Sequence, residues 1–183
     1  WVGKNARRLN LRVLATCSFL ILGAVCLWNT QMTLDATFWD IVNPRIVQGI
    51  GLAFFFIPVQ TLMLSNITPD RMAAASGLSN FLRTLGAAIG TAVSVTGWEH
   101  LSIEHHARLA ESVTVFSTTT SSYLSKLQAS GLSTTQAYGV LERTITSQSL
   151  MLATNEFFLY CALSFFALIG LVWMTRPSAS PAQ

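Results

Sequence analysis

The chain has 183 residues, of which 51% are hydrophobic and only 10% charged, and its mean hydropathy is +0.50. A soluble globular domain carries about 25% charged residues, so this balance points to a membrane protein. The net charge of +3 does not build a nucleic-acid surface, because the basic residues do not gather on one polar face with aromatics between them. Cys17, Cys26 and Cys161 all fall in apolar runs without CxxC spacing, which supports buried thiols rather than a disulfide framework or a zinc site.

The chain opens on Trp1, and its basic stretch from Lys4 to Arg12 leads into an apolar run, as in a signal peptide. No small-x-small cleavage site follows, Val25 is a poor residue ahead of a lipidated Cys26, and more apolar segments come later. The expectation is a start inside a longer gene product. Roughly 20 apolar residues, at about 1.5 Å of rise each, cross the hydrocarbon core as a helix. Spans are predicted from about Val13 to Trp28, Ile41 to Leu64, Ala73 to Gly97 and Leu150 to Met174. The fold class is therefore all-α integral membrane. Residues 1–12 form a cytoplasmic basic loop, 13–97 hold the first three membrane helices, and 98–148 an outer helical segment. Residues 149–175 hold the last membrane helix and 176–183 a disordered tail.

Basic residues near span ends stay on the cytoplasmic side. Lys4, Arg7, Arg8, Arg12, Arg71 and Arg176 then share one side, and Asp35, Asp40, Glu99, Glu104 and Glu111 lie on the other. Both termini are expected to be cytoplasmic. The tight loop from Asn66 to Arg71 makes the second and third spans an antiparallel hairpin, with Thr68 as N-cap and Pro69 at the first helical position. Trp98 and Trp173 are placed as interfacial anchors.

Beyond the third span, Leu101, Leu109 and Val113 recur near helical spacing among charges, which carries that helix past the membrane surface. Ser133-Thr134-Thr135-Gln136 reads as a capping box and leads through Val140 and Ile145 into the fourth span. The Ser/Thr-rich piece Ser117 to Ser122 is the expected flexible point.

Arg83 sits about 20 Å along the third helix, close to mid-membrane. A charge there costs at least about 2.5 kcal/mol on insertion scales, so it needs a protein or water environment and a partner. Ser76, Asn80, Arg83, Ala87, Gly90 and Ser94 make one small or polar stripe, and either a transport role or a helix-locking role fits Arg83. Gly86 and Gly90 form a GxxxG sequence suited to close helix packing. In the second span Arg45 and Gln48 lie one turn apart near the outer end, where Arg45 can also snorkel to the surface. Pro58 is expected to kink that helix, and Gln60 is a polar group deeper in. Glu156, beside Asn155 near the outer end of the fourth span, is a candidate for proton or substrate binding or an interfacial charge. Adjacent His105 and His106 after Glu104 point about 100° apart on a helix and lack a third ligand, so they read as a solvated outer face. No metal site is assigned.

GKNARRLNLR (Gly3 to Arg12), RIVQGIG (Arg45 to Gly51) and ITPDRMAAASGLSNFLRTLGAAIGTAV (Ile67 to Val93) together resemble the EmrB/QacA-type drug:proton antiporters of the major facilitator superfamily. The likeness covers nearly the whole chain, through Ala153 to Phe158. Gly3 to Arg12 looks like a copy of that superfamily's cytoplasmic loop motif, with Arg7 where the acidic residue stands. Arg45 would be a C-terminal-half counterpart of a motif linked to proton coupling. The resemblance implies that these are the last four of fourteen spans in a bacterial inner membrane. It also implies that the remaining N-terminal helices of the same transporter complete the pathway, with no cofactor beyond the proton gradient. A periplasmic membrane-fusion adaptor and an outer-membrane channel are implied as partners, docking near residues 98–148.

The function expected is proton-coupled export of hydrophobic or amphipathic drugs, with two helical halves rocking about a midplane site. A fragment of one half cannot do this alone. A non-transporting four-helix scaffold, with Arg83 and the GxxxG serving packing, is the alternative, and a membrane enzyme comes third. The upstream reading frame separates the first two.

Overall fold

The computed structural model describes residues 11–65, 68–113 and 117–174, and among them all regular structure is helical. Helix α1 spans Leu11–Asn29 and α2 Phe38–Ser65; a 3-10 turn, Pro69–Arg71, leads into α3, Met72–Ser112. Helices α4, Thr118–Ala129, and α5, Thr134–Met174, complete the order. The basic segment ahead of Leu11, Asn66, Ile67 and the tail from residue 175 lie outside the described residues, as do the side chains of Arg12, Pro58 and Gln60.

Helix α1 is the buried middle of the bundle. Leu14, Ser18, Leu22 and Val25, at steps of four, four and three, are between 0% and 6% exposed, a stripe at helical period. On one side α1 meets α2, where the Ser18 hydroxyl donates to the Gly51 carbonyl at 2.8 Å and Phe19 lies 5.6 Å from Phe55 between ring centroids. A Cβ on Gly51 would stand 2.9 Å from Ile21, so glycine is what permits this approach. On the other side α1 runs antiparallel to α5. Thr16 accepts from the Trp173 indole at 3.2 Å, and the carbonyl of Met32, just past α1, accepts from the Asn155 amide at 2.9 Å. Between them, Gly23 gives room to the Phe166 ring.

Helix α5 is the common support, packing on α1, α3 and α4, whereas α2 and α3 barely touch. The tight connection between α2 and α3 exists, but the expected side-by-side hairpin does not: α2 spends its packing face on α1, and α3 leans on α5. Thr68 is also not the cap of the α-helix. Its carbonyl accepts from the Arg71 amide at 3.0 Å, Pro69 opens the 3-10 turn, and α3 proper starts at Met72 behind Arg71, which makes no side-chain cap bond.

Both long helices cross the predicted membrane limits unbroken, each of 41 residues. The capping box forms as predicted: the Ser133 amide donates to Gln136 Oε1 at 2.9 Å, and the Gln136 amide donates to Ser133 Oγ at 3.3 Å. The Ser/Thr-rich piece from Thr118 to Ser122 is helical rather than loose. Its hydroxyls fold back onto the helix, Ser121 onto the Thr118 carbonyl and Ser122 onto that of Thr119, while Thr120 is buried. Gly131, at φ +94°, then closes α4: its amide bonds Gln128 and the Leu132 amide bonds Leu127, the paired pattern that ends a helix at a left-handed residue.

Among the described residues one helix, α5, is long and apolar enough to cross a membrane, and the apolar run Val13–Asn29 is shorter. The other predicted spans are also helical, within α1, α2 and α3, without meeting that standard among the described residues.

Candidate transport site

The polar residues singled out above fall in three places. On α3, Arg83 Nη2 donates to Asn80 Oδ1 at 3.0 Å, one turn back, so the charge has a partner on its own helix. From Asn80 to Val93 every residue is exposed, and α3 has no buried residue along its length. Leu78, Phe81, Leu82, Leu85, Ile89 and Val93 gather on one face at 100° per residue, opposite the stripe of Ser76, Asn80, Arg83, Ala87, Gly90 and Ser94. A Cβ placed on Gly86 or Gly90 would meet nothing within 4 Å. The close approach that these glycines allow is not used among the described residues.

On α2, Arg45 Nη1 donates to Gln48 Oε1 at 2.8 Å. Arg45 is exposed, and Gly49 beside the pair faces open space. The glycine of that motif with a visible contact is Gly51, against α1. The packing role expected of Pro58 lies outside the described side chains; its backbone belongs to the continuous α2.

The third place is the α3–α5 interface. Glu156 Oε2 lies 2.7 Å from His105 Nε2, and the Tyr160 hydroxyl donates to Glu156 Oε1 at 2.7 Å. Asn155 faces the other way, onto the Met32 carbonyl. His106 Nε2 sits 3.0 Å from Glu142 Oε1, and the Trp98 indole donates to Thr154 Oγ1 at 3.0 Å. Both histidines bind carboxylates on the facing helix, reaching residues 36 and 51 positions away in sequence; His105 is partly buried there rather than solvated, while the His106–Glu142 pair stays exposed. The indoles of Trp98 and Trp173 each donate to a threonine on another helix.

Arg83 and Glu156 are not brought together. His105, the partner of Glu156, stands about 33 Å along α3 from Arg83 at 1.5 Å per residue. His105, His106, Glu142 and Tyr160 are the site residues that the sequence reading missed. Their only sequence signal was the presence of two imidazoles on one side of the chain and unpaired carboxylates on the other.

The chain is 38% identical to the multidrug export protein EmrB of Escherichia coli K12 over 181 residues, 96% of this chain and 35% of that protein. To the fatty acid resistance protein FarB of Neisseria gonorrhoeae it is 36% identical over 176 residues, again 96% of this chain and 35% of the relative. The probable multidrug resistance protein EmrY of E. coli K12 is 32% identical over 178 residues. No family model matches the chain, and no solved structure matches it significantly. Homology to these proteins, one of them named for export, supports a membrane-associated, non-catalytic role for the chain. Along nearly all of its own length, this chain is homologous to EmrB, FarB and EmrY, and it spans about a third of the length of each.

Proposed function

We propose that this chain supplies the last four membrane helices of a fourteen-span, proton-coupled multidrug efflux transporter in a bacterial inner membrane. Both of its ends face the cytoplasm, and residues 98–148 lie in the periplasm. The exported compounds are hydrophobic or amphipathic, the proton gradient drives export, and no cofactor takes part. The remaining helices of the transporter complete the pathway, and a periplasmic adaptor and outer-membrane channel dock at the periplasmic end.

The observation that carries this reading is the exposed run of α3 from Asn80 to Val93. Its two faces have opposite chemistry. Bulky side chains suit lipid, whereas a stripe of small and polar groups around Arg83 suits close-packed helices and a wet pathway. Among the described residues Asn80 is the hydrogen-bond partner of Arg83, and an intramembrane arginine has five donors, most of which can serve the remaining helices of the transporter. Arg45–Gln48 and Glu156–Asn155 are proposed as further groups of the substrate or proton pathway, and Gly86, Gly90 and Pro58 as packing positions. On this reading Arg83→Ala in the full-length transporter abolishes transport per folded molecule in energised vesicles. Arg83→Lys rescues poorly, because an ammonium lacks the planar fork. An unchanged specific rate with fewer folded molecules would sink the pathway role of Arg83 and leave it a helix fastener, whereas no transport by the full-length parent would favour the scaffold reading.

A further inference from the structure

We infer that His105, Glu156 and Tyr160 form a proton-holding site that pins the far end of α3 to α5, so that loading the proton closes that end of the molecule and releasing it lets the helices part.

The geometry is that of a charge-assisted pair with both carboxylate oxygens occupied. Glu156 Oε2 takes His105 and Oε1 takes the Tyr160 hydroxyl, each at 2.7 Å. The side chains of His105 and Glu156 are 16% and 33% exposed: covered enough to hold their arrangement, open enough for water to deliver a proton. When the imidazole accepts one proton from water, its Nε2–H donates to the carboxylate as a cation, and the bond gains charge assistance. When the proton leaves, a neutral ring offers Nε2–H in only one of its two tautomers. One proton is taken up and one positive charge appears next to one negative charge; no other bond changes. Histidine is the residue type whose ordinary titration lies between about pH 5 and 8.

The surroundings leave this pair in control. On α3, Glu104 is bonded by Arg108 one turn on, and His106 is taken by Glu142 of α5. On α5 the neighbour is Tyr160. Beyond Arg12, α1 carries no charged residue, and α4 carries only Lys126. Among the described residues, the side-chain bonds joining α3 to α5 at this end are Trp98 to Thr154, His105 to Glu156 and His106 to Glu142. Two of the three depend on an imidazole, and the more buried one is His105. From Val93 back to Asn80, α3 is exposed on every side, so the bonds at the far end set how closely the helix leans on α5. The site stands on these contacts alone; its use as the entry point of the driving proton rests on the transporter reading.

The test uses the whole chain in lipid nanodiscs, with Cys17→Ser, Cys26→Ala and Cys161→Ala, and spin labels on cysteines placed at Ile103 and Leu152, both exposed. The label-to-label distance is expected to be short and narrowly distributed at about pH 5, and longer and broader at about pH 8. His105→Gln and Glu156→Gln, which keep shape and hydrogen-bonding capacity, each reduce that pH-dependent change by at least about threefold, and His106→Gln keeps most of it. No pH-dependent change in the parent chain, or a full change in His105→Gln, overturns the site; so does its loss in His106→Gln alone. If the switch behaves as expected but the full-length His105→Gln transporter exports drug at the parent rate at every pH, the site stands and its use as the entry point of the driving proton fails; a full-length parent that exports no drug would instead sink the transporter reading.

Discussion

The two halves of α3 belong to one unbroken helix and behave in opposite ways. From Trp98 to Ser112 it finds partners inside this chain, with an indole, two imidazoles and Leu109 turned to α5 and α4. From Asn80 to Val93 it finds none that bury it. A helix in water with one packing face shows polar groups on the other side. Here the inner half instead presents bulky apolar residues on one side and small residues plus Arg83 on the other. That pattern suits two different apolar surroundings, lipid and protein, and the outer half suits water on one side and protein on the other. On the proposed topology the change near Trp98 is where the solvent changes, which a hydropathy average over the whole helix conceals.

The comparison breaks most sharply at the glycines. In the full-length transporter, Gly86→Leu or Gly90→Leu is expected to lower the transport rate per molecule by at least about tenfold, since a small-residue contact tolerates no bulk. In the isolated chain the same changes should alter stability by no more than about 0.5 kcal/mol, as for surface positions generally. Equal loss in both settings, read from thermal melts in detergent, would mean that the inner half already packs within the chain. A second contrast of used and unused glycines lies in α2. Gly51→Ala drives a methyl to within 2.9 Å of Ile21 and should cost about 1–3 kcal/mol. Gly49→Ala, with nothing within 4 Å, should stabilise the helix by about 0.5–1 kcal/mol. Melts of the two variants should therefore move in opposite directions.

The smallest effect concerns the start of α2, in the connection ahead of the second predicted span. There the Asp40 carboxylate accepts from the Thr37 hydroxyl and, at 2.9 Å, from the Thr37 amide. These bonds hold the Asp40 carboxyl below its usual range. A depressed carboxylate stabilises the fold above the unfolded value, and that contribution fades as pH falls through the folded one. Asp40→Asn should accordingly weaken protection of the first turn of α2 from hydrogen exchange near neutral pH. Below about pH 3 the variant and parent should match. A difference that persists in acid would assign the effect to packing instead.

What the sequence disclosed was mostly local. The Ser133–Gln136 box, the run of α3 past its predicted span and the Asn80–Arg83 spacing all depend on residues within one turn or on a single helical period, and each is found where expected. The capping of α3 was misjudged because Thr68 and Pro69 fit a helix start and a 3-10 turn equally well; three residues of tighter winding decided it. His105 was misread because its meaning depends on Glu156, 51 residues away, and no period in one segment carries that information. Gly51 was visible only as part of a motif. Its contact with Ser18 and Ile21 requires knowing that α1 lies between α2 and α5.

The continuity of α5 has a mechanical consequence. Forty-one residues in one helix make a rod of about 60 Å, roughly twice the thickness of the hydrocarbon core. With its apolar part held in a bilayer, the remainder projects as a lever of about 30 Å. A tilt of about 10° in the membrane would then sweep its tip by about 5 Å. The Ser133 box and the Gly131 turn sit at that tip and fasten α4 to it. A displacement too small to notice among membrane helices would arrive there magnified, at the surface where a periplasmic partner is proposed to listen.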